Sequence, residues 1–314
     1  SNTTTDPRDA LLMTNRLLLT GANGFLGQAF ARAAAPDMEI VTVSGRRNAV
    51  ADELALDLRD KDSVRDVIRE IRPSHVVNFA SLGVTRDTST LADLLAVNTI
   101  GALNLVEALT EEGLSAHTVL FGTAYEYADS SEPLDESACL EPQSPYAISK
   151  TTLHYALRQY NGIAPLTFLR LFNVFGVGEP AERLIPFIAR KARTGEEIPL
   201  TGGEQQRDFM FVDDLIAILH RLIALPVASS AGLRTINVGT GKGTSLRTFI
   251  GLAAQALERQ GLAPKLKFGA LPYRKQDPMH CVADNAQLLD LLGDLQFTDL
   301  SLAVERTVQA LHEY

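Results

Sequence analysis

The chain has 314 residues, 46% of them hydrophobic and 21% charged, with a mean hydropathy of +0.03. A formal net charge of −9 argues against a protein that tracks nucleic-acid phosphates or binds a membrane through basic patches, but not against small anionic ligands, which a few placed arginines hold. The two cysteines, Cys139 and Cys281, show no zinc-like spacing and no disulfide framework, so a metal-free protein of a reducing cytoplasm is expected.

Residues 1–14 read as a flexible tail; 1–9 are polar and lack the apolar core of a signal peptide. No uninterrupted apolar run reaches membrane-spanning length, because His220 and Arg221 break the greasy stretch 215–225. The apolar run 16–20 leads into a glycine turn at 21–27, an Ala-rich helix over 28–35 and a β-rich run at 39–43. A short strand at 54–56, a helix over 61–71 and a buried-type strand at 75–79 follow. Then come a long helix over 88–112, a strand at 118–121, a polar loop at 128–144, a helix over 145–160 and a strand at 166–170. Repeated βα units predict an α/β fold with a doubly wound parallel sheet, helices on both faces. After Phe172 the rhythm breaks into short elements with Gly/Pro turns. The chain therefore divides into a nucleotide-binding domain over 15–172 and a smaller C-terminal α/β lobe over 173–314, with 208–240 returning to the first domain.

Gly21-x-x-Gly24-x-x-Gly27 follows a strand and opens a helix. That context suits a dinucleotide: glycines permit the tight turn and close backbone approach, and the helix N-terminus faces the pyrophosphate. At the tip of the second strand the chain reads Val43-Ser44-Gly45-Arg46-Arg47. No carboxylate stands there to bind a ribose 2′-hydroxyl, and two guanidiniums suit a 2′-phosphate, so NADP(H) is favoured over NAD(H). On residues alone, Arg46 and Arg47 also read as solvated loop charges. Tyr146 and Lys150 lie four apart, hence on one helix face. A nearby ammonium favours the phenolate, which would suit Tyr146 to proton transfer. Thr123, at the end of a strand, lies where ligands bind in a parallel sheet, and otherwise reads as a turn residue.

With Thr20-Gly21-Ala22-Asn23-Gly24-Phe25-Leu26-Gly27, Val77-Asn78-Phe79-Ala80, Pro145-Tyr146-x-x-Ser149-Lys150, Arg170-Leu171-Phe172-Asn173-Val174 and Arg207-Asp208-Phe209 in this order, the chain resembles the extended short-chain dehydrogenase/reductase family, in its nucleotide-sugar-modifying branch. The resemblance runs from Arg16 to the C-terminus and implies a Rossmann domain. It implies Tyr146 as general acid/base, Lys150 on the nicotinamide ribose and Thr123 on the reacting oxygen. It places the cofactor against Gly21, Asn23, Gly24, Phe25, Leu26, Gly27, Ser44, Arg46, Arg47, Asp57, Leu58, Phe79, Ala80, Ser81, Asn98, Phe172 and Val174. It places a nucleotide-diphosphate sugar against Thr123, Ala124, Tyr125, Asn173, Arg207 and Arg274, the two arginines clamping the diphosphate. On residues alone, Asn98 also reads as a locally satisfied amide, Arg274 as a surface charge, and Asp213 and Asp214 as caps of the following helix.

One departure bears on the reaction. The 4,6-dehydratases of this family follow the Ser/Thr with an Asp-Glu pair, where this chain has Ala124 and Tyr125. Glu126 is one place further on and would point elsewhere. Water elimination is therefore disfavoured. The reading is NADPH-dependent reduction of a 4-keto-6-deoxysugar linked to a nucleotide diphosphate. The alternatives are a 4-epimerase with tightly held NAD, a 4,6-dehydratase, or a non-catalytic nucleotide-binding regulator. A homodimer through 88–112 and 145–160 is expected from the family.

Overall fold

A computed structural model describes residues 15–33, 38–45, 54–83, 89–226, 232–273 and 277–311. Successive strand residues point to opposite faces, and that alternation builds the layers. In β1 (Arg16–Thr20), Leu17 and Leu19 enter one buried cluster and Leu18 another. β2 (Glu39–Ser44), β3 (Leu54–Ala55), β4 (His75–Asn78), β5 (His117–Thr123) and β6 (Pro165–Leu171) join the same sheet, all in parallel. Gly232–Val238 adds a further parallel strand beyond β6. Among the described residues the order is Gly232–Val238, β6, β5, β4, β1, β2, β3. Because both faces are covered at the centre of the sheet, β1 and β4 are buried along almost their whole length. The chain winds outward from β1 to β3, then returns to β4 on the other side of β1. The β1–β4 boundary is thus the switch point, where a crevice opens at the strand C-termini.

The crossover helices are α1 (Phe25–Arg32), α2 (Lys61–Ile71), α3 (Leu91–Leu94), α4 (Ala102–Glu111) and α5 (Pro145–Leu157). In α2, Asp60 caps the N-terminus by accepting from the Ser63 N–H, and Val64, Ile68 and Ile71 form the buried stripe. α1 starts three residues before the expected 28–35 helix, because the third glycine of the turn already lies inside its first turn. The helix expected over 88–112 is present over 91–111, but widens to π geometry at Leu95–Gly101, a form frequent at functional sites. Leu91–Glu111 is long and apolar enough to cross a membrane by length and composition. Its Leu94, Leu105, Val106 and Leu109 are buried inside the protein, so this apolarity has an internal use.

The C-terminal part contains β7 (Asn173–Phe175), α6 (Leu184–Thr194), β8 (Glu197–Pro199), β9 (Gln206–Phe211), α7 (Val212–Ala224), β10 (the Gly232–Val238 strand), β11 (Gly243–Ser245), α8 (Leu246–Glu258), β12 (Lys265–Lys267), β13 (His280–Cys281), α9 (Ala286–Leu292) and α10 (Leu300–Ala310). β9 is flanked by β11 and β13 and also pairs β7, while β12 pairs β8. The expected caps Asp213 and Asp214 are corrected here. The α7 N-cap is Phe211, with no side-chain cap, and Asp214 instead accepts from the Thr298 N–H and hydroxyl at 2.9 and 2.7 Å. Both acids still lie in the first turn, where the helix dipole favours them.

Candidate active site

At the switch point, Gly21 takes φ +68° and packs so closely on the end of β4 that a Cβ there would lie 2.5 Å from the Ala80 nitrogen. A Cβ at Gly27 would lie 2.2 Å from the Gly21 carbonyl oxygen. The glycines are therefore required by packing. The N-cap of α1 is Gly24, with no side-chain cap, which leaves first-turn N–H groups for a ligand. Thr20 Oγ1 and the Ala80 N–H both donate to Asn78 Oδ1, at 2.5 and 3.2 Å, and tie the two strand ends together. This bare turn fits a pyrophosphate.

Beside the turn a cleft encloses about 410 Å³. One wall carries Gly24, Phe25, Leu26, Gly27, Phe79 and Ser81; the floor carries Thr123, Tyr146 and Lys150; the opposite wall carries Tyr125, Phe172, Asn173, Val174, Pro180 and Arg183. Phe79 stacks on Phe121 at 4.6 Å with 13° between planes, which gives the cleft an apolar flank. Ser144 caps α5 by accepting from the Ala147 N–H, with Pro145 in its first turn. That start aims Tyr146 and Lys150 into the cleft, with Lys150 Nζ 5.7 Å from the Tyr146 ring centroid.

The charge states differ from the sequence expectation. Burial pushes the Tyr146 phenol up to about 12; a hydrogen bond with Ser81 and the Arg183 charge oppose the rise, and the Glu126 charge adds to it. Burial also brings Lys150 down to about 8, against the pull of Glu126. In the protein alone, desolvation sets the direction of the Tyr146 shift, opposite to the lowering expected from Lys150. Thr123 is buried at the end of β5, where its Oγ1 accepts from the Tyr125 N–H at 3.3 Å.

Several residues expected at the ligands are engaged within the protein. Asn98 is buried and fully engaged. Its Oδ1 accepts from the Leu82 N–H and the Ser81 hydroxyl, and its Nδ2 donates to the Leu82 carbonyl and Ser149 Oγ. It braces the cleft rim from behind instead of lining it. Asp57 is paired with Arg59 at 2.6 Å, which holds its carboxyl below the usual range. Leu58 is buried against Gly101. Ala124 turns into an apolar cluster with Tyr127, Leu134 and Phe172. Arg207 does not line the cleft; it is 5% exposed, pairs with Asp277 at 2.6 Å and donates to the Gln206 carbonyl. A carboxylate already occupies the guanidinium expected to clamp a diphosphate. Gly21, Asn23, Ser44 and Ala80 belong to the turn and to the strand ends around it. Arg46, Arg47 and Arg274 lie outside the described residues.

Two groups were not anticipated. Arg183 enters the cleft from the start of α6, donates to the Val174 carbonyl, and lies 3.5 Å from Glu179. Burial raises Glu179 to about 7, with Arg183 pulling it down. The i, i+4 spacing of Glu179 and Arg183 after a Gly/Pro turn was the available signal. Glu126 was expected to point elsewhere and does: it is completely buried and ion-paired to Arg170 at 3.1 Å. No Asp or Glu lines the cleft among the described residues, while Lys150 and Arg183 do.

The sequence pattern of the NAD dependent epimerase/dehydratase family matches residues 17–239. The chain belongs to this family. Within it, the chain is 28% identical over 294 residues to GDP-6-deoxy-D-talose 4-dehydrogenase of Aggregatibacter actinomycetemcomitans, covering 92% of this chain and 96% of the relative. It is 30% identical over 261 residues to GDP-6-deoxy-D-mannose reductase of Pseudomonas aeruginosa, covering 77% and 80% of the two chains. The fold is similar to that of MoeE5 in complex with UDP-glucuronic acid and NAD, with a TM-score of 0.82 and 25% identity over 95% of this chain and 99% of the other. Other family members are epimerases and dehydratases, so membership alone leaves the reaction to be argued from the cleft.

Proposed function

We propose that this protein reduces the 4-keto group of a 6-deoxysugar carried on a nucleotide diphosphate, with NADPH as reductant. The observation that carries the reading is the cleft wall after Thr123. Where elimination of water needs carboxylates, Ala124 is buried in an apolar cluster, Tyr125 offers a phenol and Glu126 is locked to Arg170. The two sequence relatives quoted are, by name, a 4-dehydrogenase and a reductase of GDP-linked 6-deoxyhexoses.

The glycine turn and the N-terminus of α1 hold the pyrophosphate of the dinucleotide, and Lys150 holds the nicotinamide ribose. The bound nicotinamide supplies the hydride. Tyr146 gives its proton to the sugar carbonyl oxygen, which becomes the new hydroxyl. Thr123 donates a hydrogen bond to the same oxygen, and the Lys150 ammonium stabilises the tyrosinate left behind. Arg183 supplies positive charge for the diphosphate. Asn173 Oδ1, buried without a hydrogen-bond partner among the described residues, accepts from a ligand hydroxyl. The preference for NADPH rests on Val43-Ser44-Gly45, which brings no carboxylate to the end of β2, and on Arg46 and Arg47 after it. Arg46→Ala is expected to weaken NADP(H) more than NAD(H), and equal losses would refute the cofactor choice. The same reading includes a homodimer through the α3–α4 and α5 faces, where Ile100 and Tyr155 are half exposed.

The deciding experiment offers nucleotide-linked 4-keto-6-deoxysugars with NADPH or NADH and follows cofactor absorbance and product stereochemistry. Stoichiometric NADPH oxidation is expected. The second reading, a 4-epimerase, uses the same Thr123, Tyr146 and Lys150; MoeE5, which holds NAD and a UDP-sugar, favours it. Interconversion of sugar epimers with no net cofactor turnover would replace the first reading by the second.

A further inference from the structure

We propose that Glu126 is a positioning residue for this reaction: its buried carboxylate, tied to Arg170, fixes the backbone of Thr123 and so the hydroxyl at the cleft floor. The proposal rests on the hydride-transfer reading above. Glu126 closes the single 3-10 turn Ala124–Glu126 that ends β5. Its Oε1 accepts from the Thr123 N–H at 2.8 Å, and its Oε2 accepts from Arg170 Nε at 3.1 Å. Thr123 is thereby held in extended conformation, φ −148° and ψ 148°, at the cleft it lines together with Tyr146 and Lys150. The strand leaves room for this carboxylate, since a Cβ at Gly122 would sit 2.2 Å from Glu126 Oε1.

Arg170 is held as firmly. Its Nη1 donates to Tyr127 OH at 2.9 Å and to the Glu136 carbonyl, and its Nη2 meets His154 Nδ1 at 3.1 Å. Tyr127 donates in turn to Asn237 Oδ1 at 2.6 Å, and the Asn237 N–H donates to Glu136 Oε1. β5, β6, α5, β10 and the loop over 128–144 thus meet in one satisfied network. A well-packed apolar pair would often stabilise as much as a buried ion pair. Stability alone does not account for placing this one directly beneath the reacting groups; fixing Thr123 does. The charged and titratable groups that act on Glu126 are Arg170 from β6 and Tyr146 and Lys150 from α5; His154 from α5, Tyr127 after the 3-10 turn and Glu136 from the loop surround Arg170.

The test compares wild type, Glu126→Gln, and Glu126→Gln with Arg170→Met, the double variant having no unpaired buried cation. With rates expressed per folded enzyme, kcat is expected to fall about ten- to a hundredfold, because a small displacement of a reacting group has that cost. KM stays within about threefold, as for an interaction that acts in the transition state. In Glu126→Gln the alkaline limb of kcat/KM moves down, because a negative charge near Tyr146 has been removed, and in the double variant, which removes both charges of the pair, it stays nearer wild type while kcat remains low. A structural role alone lowers the melting temperature and leaves kcat per folded enzyme unchanged. Wild-type kcat in either folded variant overturns the proposal. Cofactor consumption by wild type is measured in parallel. If wild type instead interconverts epimers, the reduction reading fails, and the same comparison run on that interconversion still decides the role of Glu126.

Discussion

Two polar regions lie back to back at the C-terminal ends of β5 and β6, and they treat charge in opposite ways. In the layer behind the cleft, Arg170 is completely buried and has a carboxylate, a phenol, an imidazole and a carbonyl around it. In the cleft, Lys150 is 4% exposed and has the Tyr146 ring beside it, while no carboxylate lines the wall among the described residues. The first region is satisfied by the protein itself. The second carries an incompletely compensated cation, and its ammonium is pushed toward neutrality. A buried charge of that kind is costly, so it marks a place that a ligand completes.

The contrast breaks first at Tyr146. Tyr146→Phe is expected to lower turnover by about a thousandfold or more, as loss of an acid/base group does, with cofactor affinity retained in a binding titration. A near-normal rate would mean that the cleft's ionisable pair is as passive as the layer behind it. Arg183→Ala is the next largest effect. Loss of a charge-assisted hydrogen bond to a phosphate is expected to raise KM by about ten- to a hundredfold, with a smaller change in kcat. An unchanged KM would remove Arg183 from the binding surface.

Lys150 sharpens the comparison through stability. Its pKa falls from 10.5 to about 8 in the folded chain. Between those values the unfolded chain binds more protons, so folding stability rises with pH across this window. Wild type is expected to gain roughly 1–3 kcal/mol from about pH 8 to 10.5 relative to Lys150→Met, from that shift. Urea unfolding of both proteins at the two ends of the window measures it. Parallel slopes would show that Lys150 is already compensated, like Arg170.

Most of the α/β order was legible because apolar runs, glycine turns and helical stripes are local signals. Thr123, Tyr146 and Lys150 stand out through the family resemblance, and the structure brings all three to one cleft; strand end and i, i+4 spacing alone also fit a turn residue and a surface helix. Asn98 was legible as an important amide but not as a brace, since its partners Leu82 and Ser149 lie far off in the chain. Arg207 drew attention as a cation, yet its engagement with Asp277, 70 residues away, is invisible in its neighbourhood. Arg183 carries only its i, i+4 spacing to Glu179 as a local signal, and that spacing does not show that the start of α6 turns toward the cleft.

The sequence by itself determined the parallel sheet and the glycine turn at its switch point, because these depend on periodicity and steric rules acting over a few residues. Only the tertiary structure decided which charges are balanced. Desolvation and ion pairing depend on what the folded chain brings within a few ångströms. That is why Arg170 and Arg207 are paired away from the cleft, while Lys150 lines it and Arg183 lines it with Glu179 beside it.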